Sequence, residues 1–167
     1  MMKAAILTAS DKGAAGQRID ESGAILQNLL LAAGYEICDY RIVPDDAAAI
    51  SAALCAQCDT LGANLIFTTG GTGFSPRDCT PEATLAVAER NAPGIAEAMR
   101  AYSLSITPRA MLSRGVAVLR GECLIINLPG SAKAARECAE YVLPALSHGL
   151  AILCGQAGEC GGAHALQ

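Results

Sequence analysis

The sequence has no cluster of basic residues. Lys and Arg together number 12 against 16 Asp and Glu, which gives a net charge of −4 at pH 7. A nucleic-acid-binding face needs concentrated positive charge to displace the counterions of phosphates, so the composition argues against that function. A phosphate-bearing ligand would have to be held by local cations, by backbone amides or by a metal ion.

The sequence also lacks an apolar run long enough to cross a membrane, which takes about 20 residues. The apolar start at residues 1–8 is too short for a secretion signal and is followed at once by Asp11 and Lys12. We therefore predict that residues 3–9 form the first strand of a cytoplasmic protein.

Charged residues are scarce, at 17%, whereas hydrophobic residues make up 52% of the 167 positions. This balance argues against disorder, and the length suffices for a domain with a sizeable core. No repeat, linker or shift in composition divides the chain before its end. We predict one domain over residues 1–154, followed by a glycine-rich tail at 155–167.

The eight cysteines do not form the pattern of a disulfide framework or a redox centre. Most lie inside predicted apolar elements, where a reduced thiol packs as a small hydrophobic group. Cys55 and Cys58 form a CxxC pair in the middle of a predicted helix, whereas a redox pair normally opens a helix after a strand. Cys154, Cys160 and His164 could chelate a metal, although their spacing matches no zinc module.

Strand and helix patterns alternate along the first 68 residues. Short apolar runs, typical of buried strands, are separated by segments with helical periodicity, which predicts a parallel α/β sheet with right-handed crossovers. A tight link at residues 120–122 joins two later runs, so an antiparallel pair is expected beside the parallel strands. The predicted strands are 3–9, 35–43, 65–68, 115–120 and 122–127, and helices are predicted to begin near residues 20, 46, 81, 93 and 132. Asp20 is the predicted N-cap of the first helix, the third should end at about Glu89 and the last at about Leu146.

The most informative stretch follows the buried strand at 65–67. This strand enters Thr68-Thr69-Gly70-Gly71-Thr72-Gly73, whose glycines let the backbone approach a ligand and take positive φ. Amides and hydroxyls in such a turn form a concavity that suits phosphate oxygens. Thr80 is a predicted helix N-cap, with Pro81 in the first helical position. The turn matches neither GxxxxGK[ST] nor GxGxxG, and a glycine turn can also be no more than a turn.

Polar residues follow each predicted strand, and the carboxyl ends of parallel strands meet at one edge of the sheet. Several carboxylates facing phosphate-binding turns indicate a divalent cation such as Mg²⁺. Each polar residue also has a structural alternative: one of Asp45 and Asp46 is expected to cap a helix, and Asp78 could hold its own loop. Ser131 could be only a cap, and Arg114 could either lie in solvent or fork onto a phosphate.

Six motifs together carry a family resemblance. TTGGTGFSPRDCTPEAT at 68–84 resembles the molybdopterin-binding signature of the MogA/MoaB family, which includes the gephyrin G domain. Five further blocks occur in the order of that family, so the resemblance covers nearly the whole chain. They are ILTASDKGAAGQRIDESG (6–23), IVPDD (42–46), GIAEAMRAYSL (94–104), MLSRGVAVLRG (111–121) and LIINLPGSAKAA (124–135).

The resemblance implies a three-layer α/β/α fold with a mostly parallel sheet, usually assembled as a homotrimer. Adenylyltransferase members of the family transfer AMP from Mg-ATP to the terminal phosphate of molybdopterin and release pyrophosphate. A MoaB-type branch shares the fold and binds molybdopterin without this activity, which is the alternative. The RDCTPEAT run and the PDD acids favour the adenylylating branch, and hand-over of the product to a molybdate-insertion protein is a further implication.

The resemblance also assigns roles to particular residues. Asp45 and Asp78 match the two important acids of the family, as catalytic residues and as ligands of Mg²⁺. Ser10 and Asp11 match positions near the nucleotide. The implied mechanism is positional, because a phosphate monoester is already a nucleophile and no Ser–His pair is visible in the sequence. The positions matched around molybdopterin are Gly70, Gly71, Thr72, Gly73, Ser113, Arg114, Pro129, Gly130 and Ser131.

A different reading of the glycine turn is a nucleotide-binding regulatory module that holds only ATP. A redox or metal protein that uses the cysteines is a further alternative. Bound molybdopterin in the absence of nucleotide would count against the first, and elemental analysis tests the second.

Overall fold

The computed structural model describes residues 1–155, so the predicted tail beyond Gly155, with Cys160 and His164, lies outside the described residues. Six strands in this part of the chain form one sheet, in the order β2-β1-β3-β6-β5-β4. The first four in that order are parallel, and β5 runs antiparallel to both of its neighbours, which confirms the predicted mixed sheet. The strands are β1 (Lys3–Ala9), β2 (Glu36–Val43), β3 (Leu65–Thr69), β4 (Arg90–Asn91), β5 (Ala117–Arg120) and β6 (Cys123–Leu128).

Helices cover both faces of the sheet, so the fold has the three α/β/α layers that the resemblance implied. Successive residues of a buried strand point to opposite faces. Ile6 and Phe67 accordingly pack against α2, α5 and α6, whereas Leu7 and Ile66 pack against α3 and α4. Burial of each such side chain contributes about 1.5–3 kcal/mol to the stability of the fold. The helices are α1 (Asp11–Ala14), α2 (Glu21–Ala32), α3 (Ala47–Cys55), α4 (Thr80–Ala86), α5 (Pro93–Leu104) and α6 (Ala132–Leu153).

Two predicted helix ends are wrong. The helix predicted to run from Pro81 to about Glu89 stops at Ala86, because residues 90–91 pair with β5 as a short edge strand. The last helix continues through Pro144 to Leu153 instead of ending near residue 146. A proline removes one helical N–H group, and this loss is outweighed because Leu146 and Leu150 continue the apolar stripe that packs on the core.

The topology places a crevice at the carboxyl edge of the sheet. From β1 the chain crosses over to β2 on one side, and β3 lies on the other side of β1, with α2 and α3 on opposite faces. The direction of winding thus reverses between β1 and β3. In open α/β sheets a ligand binds at such a switch point, beyond the carboxyl ends of the strands.

Asp20 joins β1, β2 and α2 just below this crevice. Its Oδ1 accepts hydrogen bonds from the Ser22 hydroxyl and the Gly23 amide, both at 2.9 Å, so Asp20 is the N-cap that the sequence predicted. Its Oδ2 accepts from the hydroxyls of Thr8 and Tyr40. Partial burial acts to raise the pKa of Asp20, but these hydrogen bonds outweigh it and hold the pKa below its ordinary value.

We expect Asp20→Asn to destabilise the fold by about 1–3 kcal/mol at pH 7, because an amide NH₂ cannot accept from the two hydroxyls. The lowered folded-state pKa means that the carboxylate stabilises the fold above about pH 4, and that this contribution is lost as the pH falls through the folded-state pKa. Chemical denaturation between pH 2.5 and 7 should therefore show a flatter acid limb for the variant.

Asp46→Asn is the matched control, since Asp46 caps α3 through one exposed hydrogen bond to the Ala49 amide. This variant keeps a side-chain oxygen that can accept from the Ala49 amide, so its stability at pH 7 should stay close to that of the wild type. An acid limb in Asp20→Asn as steep as that of the wild type would contradict the role given to Asp20.

Candidate functional site

The glycine turn after β3 packs directly against the ends of β1 and β6. Gly70 and Gly71 have φ angles of +88° and +64°. A Cβ on Gly70 would lie 2.2 Å from the Ala9 carbonyl oxygen, and a Cβ on Gly130 would lie 3.2 Å from the Gly70 Cα. The three strand ends therefore meet backbone to backbone, and only glycine satisfies both the φ angle and the space at Gly70.

Thr80 does not cap α4 as predicted, because the helix begins at Thr80 itself. Its hydroxyl donates to the Gly70 carbonyl at 2.9 Å, and its amide donates to the Gly71 carbonyl at 3.1 Å. Pro81 does lie in the first helical turn. The buried Thr80 side chain thus fastens the glycine turn to the start of the helix.

Asp78 folds the loop that follows the glycine turn. Its Oδ2 accepts from the Gly73 amide at 2.9 Å and from the Ser75 amide at 3.2 Å. None of the described residues donates to its Oδ1. Asp78 therefore does hold its own loop, which was the structural alternative, and one of its carboxylate oxygens remains available to a ligand.

Arg114 is engaged by the same loop. Its Nε donates to the Gly73 carbonyl at 2.7 Å, and its Nη2 donates to the Asp78 carbonyl at 2.8 Å. Its Nη1 pairs with the Glu82 carboxylate, and this hydrogen bond lowers the pKa of Glu82. The backbone amide of Arg114 donates to the Thr72 carbonyl at 2.9 Å. A contact between Arg114 and substrate stays a prediction, since this guanidinium shapes the loop in the structure.

Asp11 and Asp45 hold the loops after β1 and β2 together. The Asp11 amide donates to Asp45 Oδ2, and the Asp45 amide donates to Asp11 Oδ1, each at 3.0 Å. Arg77 forks onto the Asp11 carboxylate at 2.9–3.1 Å and lowers its pKa. Asp45 Oδ1 faces the glycine turn, because a Cβ on Gly71 would lie 3.2 Å from it.

Three of the other polar residues act as helix caps. The Asp46 carboxylate caps α3, so Asp46 is the capping member of the Asp45–Asp46 pair. The Ser131 hydroxyl accepts from the Ala134 amide at 3.2 Å, and the Ser10 hydroxyl accepts from the Gly13 amide at 3.0 Å. Both serines nevertheless line the larger of the two cavities described next.

Two cavities meet at the glycine turn. The smaller has a volume of about 400 Å³ and a mostly apolar lining that includes Met99 and Leu112. The larger has a volume of about 710 Å³ and a more polar lining that includes Asp45 and Ser131. The residues that line both are Gly71, Asp78 and Gly130.

The cavities account for most of the residues assigned by motif. Thr72, Gly73, Ser113 and Pro129 line the smaller cavity, and Ser10 and Gly70 line the larger one. Arg114 and Asp11 support the walls through their hydrogen bonds. Gly71, Asp45, Asp78 and Ser131, which come from the three loops after β3, β2 and β6, all line the larger cavity.

Sequence reasoning missed the cations of the smaller cavity. Arg100 and Arg109 both line it, and Arg100 also donates to the Gly115 carbonyl at 2.7 Å. Arg109 lies in the segment Thr107-Pro108-Arg109 that follows α5. The only sequence signal for it was that polar residues beside a proline interrupt the helical pattern there. Arg18 and Ile19 of the larger cavity were missed because their loop has no periodic pattern.

The donor set can be tested for Mg²⁺. Within residues 1–155, no group of three or more His, Cys, Asp or Glu side chains could enclose a metal ion. Mg²⁺ is commonly held by one or two carboxylates together with substrate phosphates. Asp45 and Asp78 both line the larger cavity, and each has one carboxylate oxygen without a donor among residues 1–155. The chemistry of this donor set suits a cation whose coordination a phosphate ligand completes.

The described cysteines are all free thiols. A hydrogen bond with Cys58 and deep burial raise the pKa of Cys123, and burial raises the pKa of Cys38, Cys138 and Cys154. A raised pKa lowers the fraction of reactive thiolate. These thiols therefore pack as small apolar groups, in line with the interpretation of the sequence.

These features define a three-layer α/β protein with two adjoining cavities, and Gly71 of the glycine turn and Asp78 line both of them. Residues 5–148 match the family described as "Probable molybdopterin binding domain", and the chain belongs to this family. The family recognised from the six motifs is thereby confirmed.

Relatives and solved structures support this assignment. The chain is 42% identical to the "Molybdopterin adenylyltransferase" of Helicobacter pylori (strain J99), over 90% of this chain and 86% of that protein. It is 45% identical to gephyrin of Dictyostelium discoideum over 89% of this chain, which spans only 22% of gephyrin. The structure of the molybdopterin biosynthesis enzyme MoaB from Thermus thermophilus superposes with a TM-score of 0.88, at 48% identity and covering 93% and 98% of the two chains.

We expect Arg114→Ala to loosen the loop at residues 72–78, because the carbonyls of Gly73 and Asp78 lose their donor. The cost should be about 1.5–3 kcal/mol of unfolding free energy, since these hydrogen bonds come from a charged group. Hydrogen exchange of the Gly73 and Ser75 amides should accelerate more than exchange in the strands.

Glu82→Gln separates the ion pair from the loop contacts, because it removes only the exposed carboxylate partner of Arg114. This control should leave the Gly73 and Ser75 amides nearly as protected as in the wild type. Unchanged protection in Arg114→Ala would show that the guanidinium does not hold the loop.

Proposed function

We propose that this protein is a molybdopterin adenylyltransferase of molybdenum cofactor biosynthesis. It transfers AMP from Mg-ATP to the terminal phosphate of molybdopterin and releases pyrophosphate. The observation that carries the proposal is the junction of two unlike cavities at Gly71, Asp78 and Gly130. The names of the bacterial relatives point to the same reaction.

The two cavities suit the two substrates. A flat pterin ring system matches the smaller, mostly apolar cavity, whose polar groups can fix its orientation. A nucleotide with its phosphates matches the larger and more polar cavity. The phosphate of molybdopterin and the α-phosphate of ATP then meet at the residues shared by both cavities.

The reaction is a displacement at phosphorus. An oxygen of the molybdopterin phosphate, which is largely ionised near pH 7, forms a bond to the α-phosphorus of ATP, and the bond from that phosphorus to the bridging oxygen of pyrophosphate breaks. No proton has to be removed from the nucleophile, so no general base is required. The protein contributes by holding the two phosphates in line, which removes much of the entropic barrier.

The glycine turn and the acids divide this task. Free amides and the bare backbone of the turn let phosphate oxygens approach closely. Asp45 and Asp78 would hold Mg²⁺, since each keeps one carboxylate oxygen that the loops do not use. Mg²⁺ supplies charge neutralisation for the departing pyrophosphate when bound.

A MoaB-type protein without transferase activity is the second candidate. It is favoured by the 48% identity to the Thermus thermophilus structure that carries the name MoaB. Incubation with molybdopterin and Mg-ATP, followed by a pyrophosphate assay, separates the two. Pyrophosphate released only when both substrates are present supports the transferase, and molybdopterin binding without pyrophosphate release supports the alternative.

Assembly and cellular context are part of the same proposal. We infer a homotrimer, supported by the exposed apolar side chains of Leu104, Ile106 and Met111 around the end of α5. None of the helices within residues 1–155 combines the length and apolar character of a bilayer span. We also infer a cytoplasmic site of action and hand-over of the product to a molybdate-insertion protein.

We expect Asp78→Asn to keep the fold, because the amide oxygen of Asn can accept from the Gly73 and Ser75 amides in place of Oδ2. The lost charge should weaken Mg²⁺ binding at the junction and lower the rate of pyrophosphate release by about a hundredfold or more. Molybdopterin affinity, measured without nucleotide by titration calorimetry, should change less than about twofold.

Asp46→Asn serves as the matched control, since it removes a neighbouring carboxylate that caps a helix outside both cavities. Its rate should stay close to that of the wild type. Turnover in Asp78→Asn equal to that of the control would refute a metal-binding role for Asp78.

A further inference from the structure

The larger cavity carries more negative than positive side chains. Among the described residues that line it, one is a cation. A triphosphate entering this cavity would meet several carboxylates. Its negative charge would therefore have to be balanced by Mg²⁺ and by any positively charged side chain of the lining that has no other partner. The charged residues of the lining are Arg18, Asp20, Glu21, Asp45 and Asp78.

Arg18 is free to bind a ligand, in contrast to its neighbours. Arg77 forks onto Asp11, and Arg114 is held by Glu82 and by loop carbonyls. Within the described part of the chain, no hydrogen bond or ion pair joins the exposed Arg18 guanidinium to another residue. Binding a phosphate through Arg18 therefore breaks no contact of the folded protein.

The location of Arg18 ties it to one substrate. It lies on the loop at residues 15–20 that joins α1 to α2, and this loop lines the larger cavity but not the smaller one. The α-phosphate has to sit at the shared residues Gly71 and Asp78 to meet the other substrate. The adenosine and the β- and γ-phosphates then share the rest of the larger cavity. Of these parts only the β- and γ-phosphates carry negative charge, so they are the natural partners of a cation in this lining.

We propose that Arg18 is a nucleotide-binding residue that pairs with the β- and γ-phosphates of ATP, the part that leaves as pyrophosphate. This inference rests on the proposed function. A guanidinium presents two parallel donors to phosphate oxygens, a geometry that lysine cannot reproduce. Arg18 thus adds to the larger cavity a cation without a partner among residues 1–155, which the paired Arg77 and Arg114 do not provide.

Titration calorimetry with ATP, pyrophosphate and AMP tests the proposal in the presence of Mg²⁺ and without molybdopterin. Arg18→Ala should bind ATP and pyrophosphate about tenfold more weakly than the wild type at low ionic strength, with AMP affinity unchanged. Arg18→Lys should fall between the two. The difference between wild type and Arg18→Ala should shrink at a salt concentration of about 0.5 M, which screens exposed charges strongly.

Arg90→Ala is the matched control, because it removes the same charge from the exposed edge strand β4, outside both cavities. It should bind all three ligands as the wild type does. Melting temperatures of the variants should agree, since Arg18 has no partner to lose within residues 1–155.

Each outcome has a definite meaning. Equal affinity of Arg18→Ala and wild type for ATP overturns the inference and leaves the proposed function standing. An equal loss for AMP, ATP and pyrophosphate overturns it as well, because it would place the effect on the shape of the loop. A wild-type protein that binds molybdopterin but neither ATP nor pyrophosphate refutes both the inference and the transferase function.

Discussion

The contact of three strand ends without intervening side chains governs the whole site. Gly70 lies against the Ala9 carbonyl and Gly130 lies against Gly70, so β1, β3 and β6 end in touching backbones. A single Cβ at Gly70 would enter the Ala9 carbonyl oxygen at 2.2 Å and push the strand ends apart. Two of the three residues that line both cavities are glycines, so little side-chain bulk separates the cavities where they meet. The proposed reaction needs such a close approach, because two phosphates from different ligands have to meet there.

The charged groups around this junction are arranged before any ligand arrives. Asp11 and Asp45 exchange amide hydrogen bonds, Arg77 clamps Asp11, and Arg114 secures the loop that Asp78 folds. Loops held in this way lose little conformational freedom on binding, so less of the binding energy is spent on ordering them. The exposed ion pairs contribute little to global stability, and their value lies in fixing the geometry of the loops.

Whether the sequence could predict a feature depends on how far apart in the chain the interacting residues lie. Strand alternation, the Asp20 cap and the glycine turn depend on neighbours within a few residues, and these predictions are confirmed. The Arg114–Gly73 and Arg77–Asp11 contacts join residues 41 and 66 positions apart, and no local pattern announces them. The predicted N-cap role of Thr80 is wrong because its hydroxyl donates to the Gly70 carbonyl, ten residues earlier, and does not cap its own helix.

The carboxylates of Asp45 and Asp78 both have a structural role, and each leaves one oxygen for the proposed metal site. Asp45 Oδ2 accepts a hydrogen bond from the Asp11 amide, and Asp78 Oδ2 accepts from the Gly73 and Ser75 amides. Each Oδ1 has no donor among residues 1–155, and Asp45 Oδ1 faces Gly71. Because hydrogen bonds from these amides fix the orientation of each carboxylate, binding of the proposed cation would cost little further side-chain entropy. The structural role of these acids is therefore compatible with the proposed metal-binding role, because the hydrogen bonds that hold each carboxylate occupy only one of its two oxygens.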